Sequence, residues 1–308
     1  MTRSNIAAAS VQIAGLVLAP LLPGIVQQTK AKLQGRPGPS PLQPYRELRR
    51  LWRKGVVNVA GSTFIYRLAP ATITACVAIG VMIVPVAGHS LGWPLGADAI
   101  VLVGVLALAR FAAAAASWDS GSGFALMGAS RDLTFSSFIE PLLLLVFAIA
   151  ALRAGSTDLR AISDAASGTA IWGTAAHWCA AAAFLLVVLA ETGRLPIDNP
   201  DTHLELTMVH EGPLLEYAGR DLAFLHWSAA ARHWIMLVLA TELFIPHPHS
   251  FALRLAVLAI ALPLLCIALA LVETWQAKLA VLRVPRLLAG GALLAMIGFA
   301  SASIGWPS

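Results

Sequence analysis

The sequence predicts an all-α, polytopic membrane protein with about eight transmembrane helices and one short cytoplasmic amphipathic helix. Three observations carry this. Only 12% of the residues are charged and 58% are hydrophobic, where a soluble domain carries about 25% charge. Eight apolar runs each approach the ~20 residues needed to cross a hydrocarbon core about 30 Å thick. Runs such as VFAIAAL and AAAFLLVVLA are apolar on every side. Barrel alternation is therefore absent, and helix is the spanning backbone that satisfies its own hydrogen bonds in lipid. Residues 1–308 read as a single transmembrane domain, with no room for a separate large soluble one.

The first run, 5–27, is expected to stay as an anchor, since no small-residue cleavage site follows a short apolar core. Pro20 and Pro23 are placed to bend it. The loop 28–63 holds eight Lys and Arg residues between Lys30 and Lys54 against Glu47 alone. Basic loops stay in the cytoplasm, so this loop sets the orientation. Within it GRPGPSPLQP cannot be regular helix. YRELRRLWRK follows, with Tyr45, Leu48, Leu51 and Trp52 on one side and arginines around the rest. This predicts an interfacial helix over 45–54, open to two roles: a plain topology signal or a surface that also docks a partner.

The remaining spans are read at 64–86, 98–117, 134–153, 171–190, 229–246, 251–272 and 286–306, with Phe224 as an alternative start for the sixth. Pro263 is placed to bend the seventh. Alternation puts loops 118–133, 191–228 and 273–285 on the cytoplasmic side and both termini in the periplasm. No internal repeat points to inverted transporter halves. Cys76, Cys179 and Cys266 are scattered through apolar runs, too far apart for a metal or iron–sulfur site. His177, His203, His210, His226 and His233 form no HExxH and no convincing set of four haem ligands. The basic loop has no aromatic platform, which argues against nucleic acid as a partner.

The chemistry concentrates after the fifth run. Seven of the 16 carboxylates lie between Glu191 and Asp221: Glu191, Asp198, Asp201, Glu205, Glu211, Glu216 and Asp221. Carboxylates next to a bilayer imply water, a partner or a proton path. Crowding is expected to raise their pKa values, which suits proton relay. Arg194, three residues after Glu191, is expected to pair with it on a helical turn. Pro196 and Pro200 break that helix, and a new one is expected from Asp201 or Thr202, with Thr202 and Glu205 at capping-box spacing. Glu205 therefore has two readings, cap or relay. Glu140 opens the fourth run near the same face, and Arg131 and Asp132 precede it. Glu242 reads equally well as a capping acid near the outer side.

The motif ETGRLPIDNPDTHLELTMVHEGPLLEYAGR resembles the NADH dehydrogenase subunit 1 family of the complex I membrane arm. Glu191, Arg194, Pro196, Asp198, Pro200, Glu205, Glu216, Tyr217 and Gly219 fall on that family's pattern. His203 stands where the family has an acid, and the spacing to Glu216 is longer. THLELTMVHE is still more similar to the formate hydrogenlyase and hydrogenase-4 membrane subunits of energy-converting [NiFe] hydrogenases. So are WDSGSGFALMGASRDLTFSSFIEP, with Arg131 and Glu140, and GRPGPSPLQPYRELRRLWRK, with Arg36, Gln43 and Tyr45. The resemblance covers almost the whole chain.

It implies a membrane anchor and coupling subunit that links electron transfer in docked soluble subunits to H⁺ or Na⁺ movement. The implied coupling residues are Glu140, Glu191, Arg194, Asp198, Asp201, Glu205, Glu211 and Glu216. The docking candidates are Arg36, Gln43, Tyr45, Arg46, Arg49, Arg131 and Asp132. Iron–sulfur clusters and a [NiFe] centre would belong to large and small soluble partners, with none held in this chain. Quinone is a further candidate ligand, and antiporter-like membrane subunits and membrane lipid are further partners. Two other readings stay open: the quinone-chamber subunit of an NADH–quinone oxidoreductase, and a stand-alone ion-coupled transporter.

Overall fold

The computed structural model describes residues 3–90, 96–167, 172–198, 209–248 and 250–304, and among these it has helices and no named strand. α1 (Arg3–Leu18) and α2 (Leu21–Leu33) form one apolar span bent by 43°. The break falls at Pro20, as expected from its lost N–H and the clash of its ring with the preceding turn. α3 (Gln43–Trp52) is the interfacial helix. α4 (Phe64–Ile83), α5 (Ala99–Ser120), α6 (Gly123–Ala154), α9 (Gly219–Phe244), α10 (Phe251–Trp275) and α11 (Val284–Ile304) are each long and apolar enough to cross a membrane. α8 (Ala175–Glu191) is a shorter apolar helix at the place of the fifth run. The eight expected segments thus all have a helical counterpart.

Two boundaries differ from expectation, and one short helix is added. α6 starts at Gly123, so most of the expected loop 118–133 is helix. Asp132 within this stretch is tolerated because it faces Arg110 of α5. α9 starts at Gly219, ahead of the expected 229. A short helix, α7 (Leu159–Ala165), stands in the expected outer loop, where the Asp158 carboxylate caps it by accepting from the Arg160 N–H at 2.8 Å. Pro263 lies inside α10, which continues past it.

Helix α9 is the most enclosed of the spans, while α10 and α11 leave most of their surface outside the bundle. α4 packs between α5 and α9, and α11 packs on α6 and α8. α3 lies on α2 and α9. Leu51 is its buried anchor, the Tyr45 hydroxyl donates to the Val17 carbonyl at 2.6 Å, and Trp52 meets Phe224 edge-on. Arg50 is exposed on the opposite face beside Glu47, as the amphipathic pattern requires.

The four loops assigned to one side do meet at one end of the bundle. The Asp119 carboxylate at the end of α5 accepts from the N–H groups of Thr63 and Tyr66 at 2.8 and 3.0 Å. Tyr66 stacks on Tyr217 with centroids 4.4 Å apart. Their hydroxyls donate to the carbonyls of Glu216 and Tyr66 at 2.6 and 3.0 Å. Lys30 reaches Glu273, and the Leu279 N–H reaches the Pro196 carbonyl.

Gly219 closes this end: it has φ +61°, and a Cβ there would lie 2.2 Å from the Gly55 carbonyl oxygen. Gly219→Ala is therefore expected to lower stability by about 1–3 kcal/mol. Gly290→Ala, where a Cβ meets nothing within 4 Å, is the control. Thermal unfolding of the detergent-purified protein reads the difference.

Candidate functional site

Helix α8 ends at Glu191 inside the bundle, where this residue is 4% exposed. An isolated carboxylate there would be expensive, and the helices around it supply its partners. Arg110 of α5, also buried, donates to Glu191 at 2.5 Å and to Glu140 of α6 at 2.6 Å. It also lies 3.8 Å from Asp132 of α6. Arg232 of α9 stands 3.8 Å from the second oxygen of Glu191. One guanidinium therefore faces three carboxylates from two helices, and four helices converge on one hub. Glu191 Oε2, Arg110 Nε and Arg232 Nε have no protein hydrogen-bond partner among the described residues. Buried polar atoms of this kind are places for ordered water.

The expected Glu191–Arg194 pair does not form. Gly193 turns the chain into the left-handed region, φ +60°, and the Arg194 N–H returns to the Leu189 carbonyl at 2.8 Å. The helical i, i+3 relation ends there. The Arg194 side chain instead donates to Glu273 of α10 at 2.9 Å, and Lys30 of α2 lies 3.4 Å from the other Glu273 oxygen.

A third group adjoins the hub through Asp132. Lys278 donates to the Asp198 carboxylate at 3.0 Å. His210 bonds the same carboxylate through both its backbone N–H, at 3.3 Å, and its Nδ1, at 3.2 Å. The far ring nitrogen of His210 lies 3.7 Å from Asp132. Burial alone would raise the Asp198 pKa, but the His210 and Lys278 contacts outweigh it and hold the carboxyl down at about 2. Crowding therefore does not raise this acid, contrary to the expectation from its neighbours in sequence. Burial alone would lower the His210 pKa, and the Asp198 bond with the Asp132 charge raises it above the usual histidine value.

Of the sequence candidates, Glu140 and Glu191 meet at Arg110, Asp198 connects to that hub through His210, and Arg194 pairs apart with Glu273. Asp132, read as a docking residue, belongs to the hub. Asp201, Glu205, Thr202 and His203 lie outside the described residues. The new helix expected to continue through this stretch is absent over 209–218, which folds as bends around a single 3₁₀ turn, Gly212–Leu214. Pro213 and Gly212 explain this. Glu211 precedes that turn and is half-buried. Glu216 lies beside the stacked tyrosines, with its carbonyl bonded to Tyr66. Arg36 is exposed, and Arg131 is half-buried beside Asp132. Gln43 donates to Glu47 within α3 at 3.0 Å. Sequence reasoning offered Arg232 as a local counter-charge to the carboxylates and expected Arg110 and Glu273 to face protein or water, but assigned none of these, nor Lys278 or Lys30, to the site. The only signal for Arg110 and Glu273 was a charge in an apolar run.

The family profile described as NADH dehydrogenase matches residues 6–301. The chain belongs to this family. Among similar members, hydrogenase-4 component C of Escherichia coli is 34% identical over 80% of this chain and 77% of its own length. Formate hydrogenlyase subunit 4 of Escherichia coli is 31% identical over 92% of this chain and 94% of its own. An NADH-quinone oxidoreductase subunit of Rhodopseudomonas palustris is 26% identical, covering 80% of each chain. The fold of this NADH dehydrogenase family member also matches a chain in the membrane-bound sulfane sulfur reductase, described as an archaeal respiratory membrane complex. There the TM-score is 0.84 and the identity 20%, over 96% of this chain and 98% of that one.

Two outcomes follow from the site. Arg110→Gln leaves three carboxylates without their shared cation, and is expected to cost about 3–5 kcal/mol; adding Glu191→Gln to the same chain should return part of the loss. Thermal melts of the single and double variants test this. Asp198 has a folded pKa of about 2 against an ordinary 3.8. Its ionised form therefore contributes stability above pH 3.8, about 2 kcal/mol, and that contribution is lost as the pH falls toward 2. Asp198→Asn should be less stable than the parent at pH 7, with the gap closing between about pH 4 and pH 2 as melts are repeated down the pH scale.

Proposed function

We propose that this chain is the membrane anchor and coupling subunit of a complex I-like or group 4 [NiFe] hydrogenase-like oxidoreductase. In this reading it links electron transfer in docked soluble subunits to H⁺ or Na⁺ translocation. As a member of the NADH dehydrogenase family, similar along most of its length to hydrogenase-4 component C and formate hydrogenlyase subunit 4, it is a membrane subunit of a respiratory complex. The observation that carries the finer reading is the buried hub around Arg110. Charges brought into a low-dielectric site interact strongly and over distance. A change of charge near Asp198 is felt at Glu191 and Glu140, and can shift protons between them.

Each part has a place in this function. Arg36, Arg46 and Arg49 on the α3 side offer a basic face for soluble partners, which would hold the iron–sulfur clusters and any [NiFe] centre. The loops 191–228 and 273–285 lie at that same end, so redox events in a docked partner would fall next to the carboxylates. Glu211, Glu216, Asp201 and Glu205 belong to the segment that would face that partner. In this reading the basic residues face the cytoplasm of a bacterial cell, and both termini face the periplasm across the inner membrane. Membership of a family of complex subunits supports this over a stand-alone transporter. The relatives named as hydrogenase and formate hydrogenlyase subunits, at 34% and 31% identity, support it over a quinone-chamber subunit, whose named relative is 26% identical.

The test uses the whole complex reconstituted in liposomes. Glu191→Gln and Asp198→Asn should insert and assemble, yet move roughly tenfold less charge per electron than the parent. Unchanged charge movement in both would remove the hub from the mechanism, and loss of assembly alone would reduce these residues to structural support.

A further inference from the structure

The acidic segment contributes one residue beyond the carboxylates that the coupling reading uses. His210 is fixed between two carboxylates on different elements: Nδ1 is 3.2 Å from Asp198 Oδ2, and Nε2 is 3.7 Å from Asp132 Oδ1. Asp198 is held in turn by Lys278, and Asp132 faces Arg110. A neutral imidazole has one N–H and one lone pair. With Nδ1–H donated to Asp198, the Nε2 lone pair would face the Asp132 carboxylate, which is repulsive. One further proton, on the ring or on Asp132, removes the conflict. The position is built tightly: a Cβ on Gly193, itself at φ +60°, would lie 3.0 Å from His210 Nδ1. The ring therefore packs against the turn that ends α8.

We propose that His210 is the proton-exchange joint of this site: anchored on the Asp198–Lys278 pair through Nδ1, it exchanges one labile proton with Asp132 of the Arg110 hub through Nε2. This deepens the coupling reading and rests on it. In the joined state the imidazolium donates to Asp198 and neutralises Asp132. Transfer breaks the Nε2–H bond and forms an O–H bond on Asp132, once the 3.7 Å gap closes to hydrogen-bond length or one water bridges it. The ring is left neutral with its Nδ1–H still on Asp198, and Arg110 is left facing Glu140 and Glu191 as its remaining charged acids. The reverse transfer restores the link. The charged and titratable groups that set this balance are Asp132 from α6, Glu191 from α8, Asp198 from the turn after it, Arg232 from α9, and Lys278 behind Asp198. Arg110 and Arg232 supply two positive charges against Asp132, Glu140 and Glu191, and the imidazolium supplies a third.

The experiment measures charge moved per electron, as a function of pH, by the full complex in liposomes. In the parent this ratio should fall as the pH rises through the His210 titration. His210→Gln keeps a neutral polar side chain that carries no exchangeable charge. It should lower the ratio roughly tenfold or more and flatten its pH profile. Asp132→Asn should leave a histidine that titrates about one pH unit or more lower, moving the midpoint with it. A parental ratio and profile in His210→Gln, or an unmoved midpoint in Asp132→Asn, overturns the proposal. If His210→Gln does not assemble, the Asp132→Asn midpoint decides. Glu191→Gln separates the two ideas. Loss of pumping there with a parental His210→Gln sinks the joint alone, whereas parental pumping in both sinks the coupling reading as well.

Discussion

The structure at its functional end depends on where Arg110 puts its charge. A guanidinium inside an apolar helix has no tolerable position without acids, and three acids from α6 and α8 have none without it. Neither side folds into place alone. The mutual requirement draws α5, α6 and α8 to one point and brings α9 in through Arg232. The buried pair Arg194–Glu273, with Lys30 beside it, repeats the logic between the turn after α8, α10 and α2. These contacts are weak evidence for extra stability, since burying charge costs about as much as pairing returns. They are better evidence for specificity, because an apolar bundle of Ala-rich helices has few other features that fix its rotation and depth.

The opposite end is organised by a different device. Glu242 on α9 is buried and accepts from the Ala87 N–H at 2.8 Å and the Ser163 hydroxyl at 2.5 Å, with His247 close by. Arg254 bonds Asp164 at 2.6 Å and the Pro248 carbonyl at 2.9 Å. Glu242 thus accepts from a backbone N–H and a hydroxyl of two outer segments, at neither of which it caps a helix end. The same residue type plays different parts at the two ends because its neighbours differ. At one end acids share cations across helices, and at the other a single acid gathers donors from loops.

Most of the fold was legible because membrane-length apolar runs have one solution, and the Pro20 break and the amphipathic α3 carry local signals as well. The site was legible only where it was local. ETGR pointed to Glu191 and Arg194, and both are in the site. Their pairing was not legible, because it depends on whether the helix continues past Gly193, and a left-handed turn sends Arg194 to a residue 79 positions away. Arg110 could not be assigned, since its partner Glu191 is 81 positions away and a lone arginine in an alanine-rich run has no local meaning. His210 was visible as a histidine beside an acid. What makes it notable is its two-sided contact with Asp198 and Asp132, and neither distance can be read from spacing.

The placement of polar groups along α9 bears on how an ion would travel. Arg232 and Glu242 are ten residues apart, about 15 Å along a helix axis. Between them Trp234, Ile235, Met236, Leu237, Val238 and Leu239 are buried and apolar, whereas His233 and Thr241 are buried and polar, and His233 Nε2 has no hydrogen-bond partner among the described residues. Along this helix the hub and the Glu242 cluster are therefore separated by the apolar stretch from Trp234 to Leu239, with the buried polar side chains His233 and Thr241 on either side of it. A charge in that stretch would carry the cost that the hub avoids by pairing. The hub does reach the surface sideways: the Glu140 side chain is 32% exposed, whereas that of Glu191 is 2%. Glu140 is thus the member of the hub through which water or another chain can reach the buried Arg110–Glu191 pair, while the Glu242 cluster is held by its own set of donors.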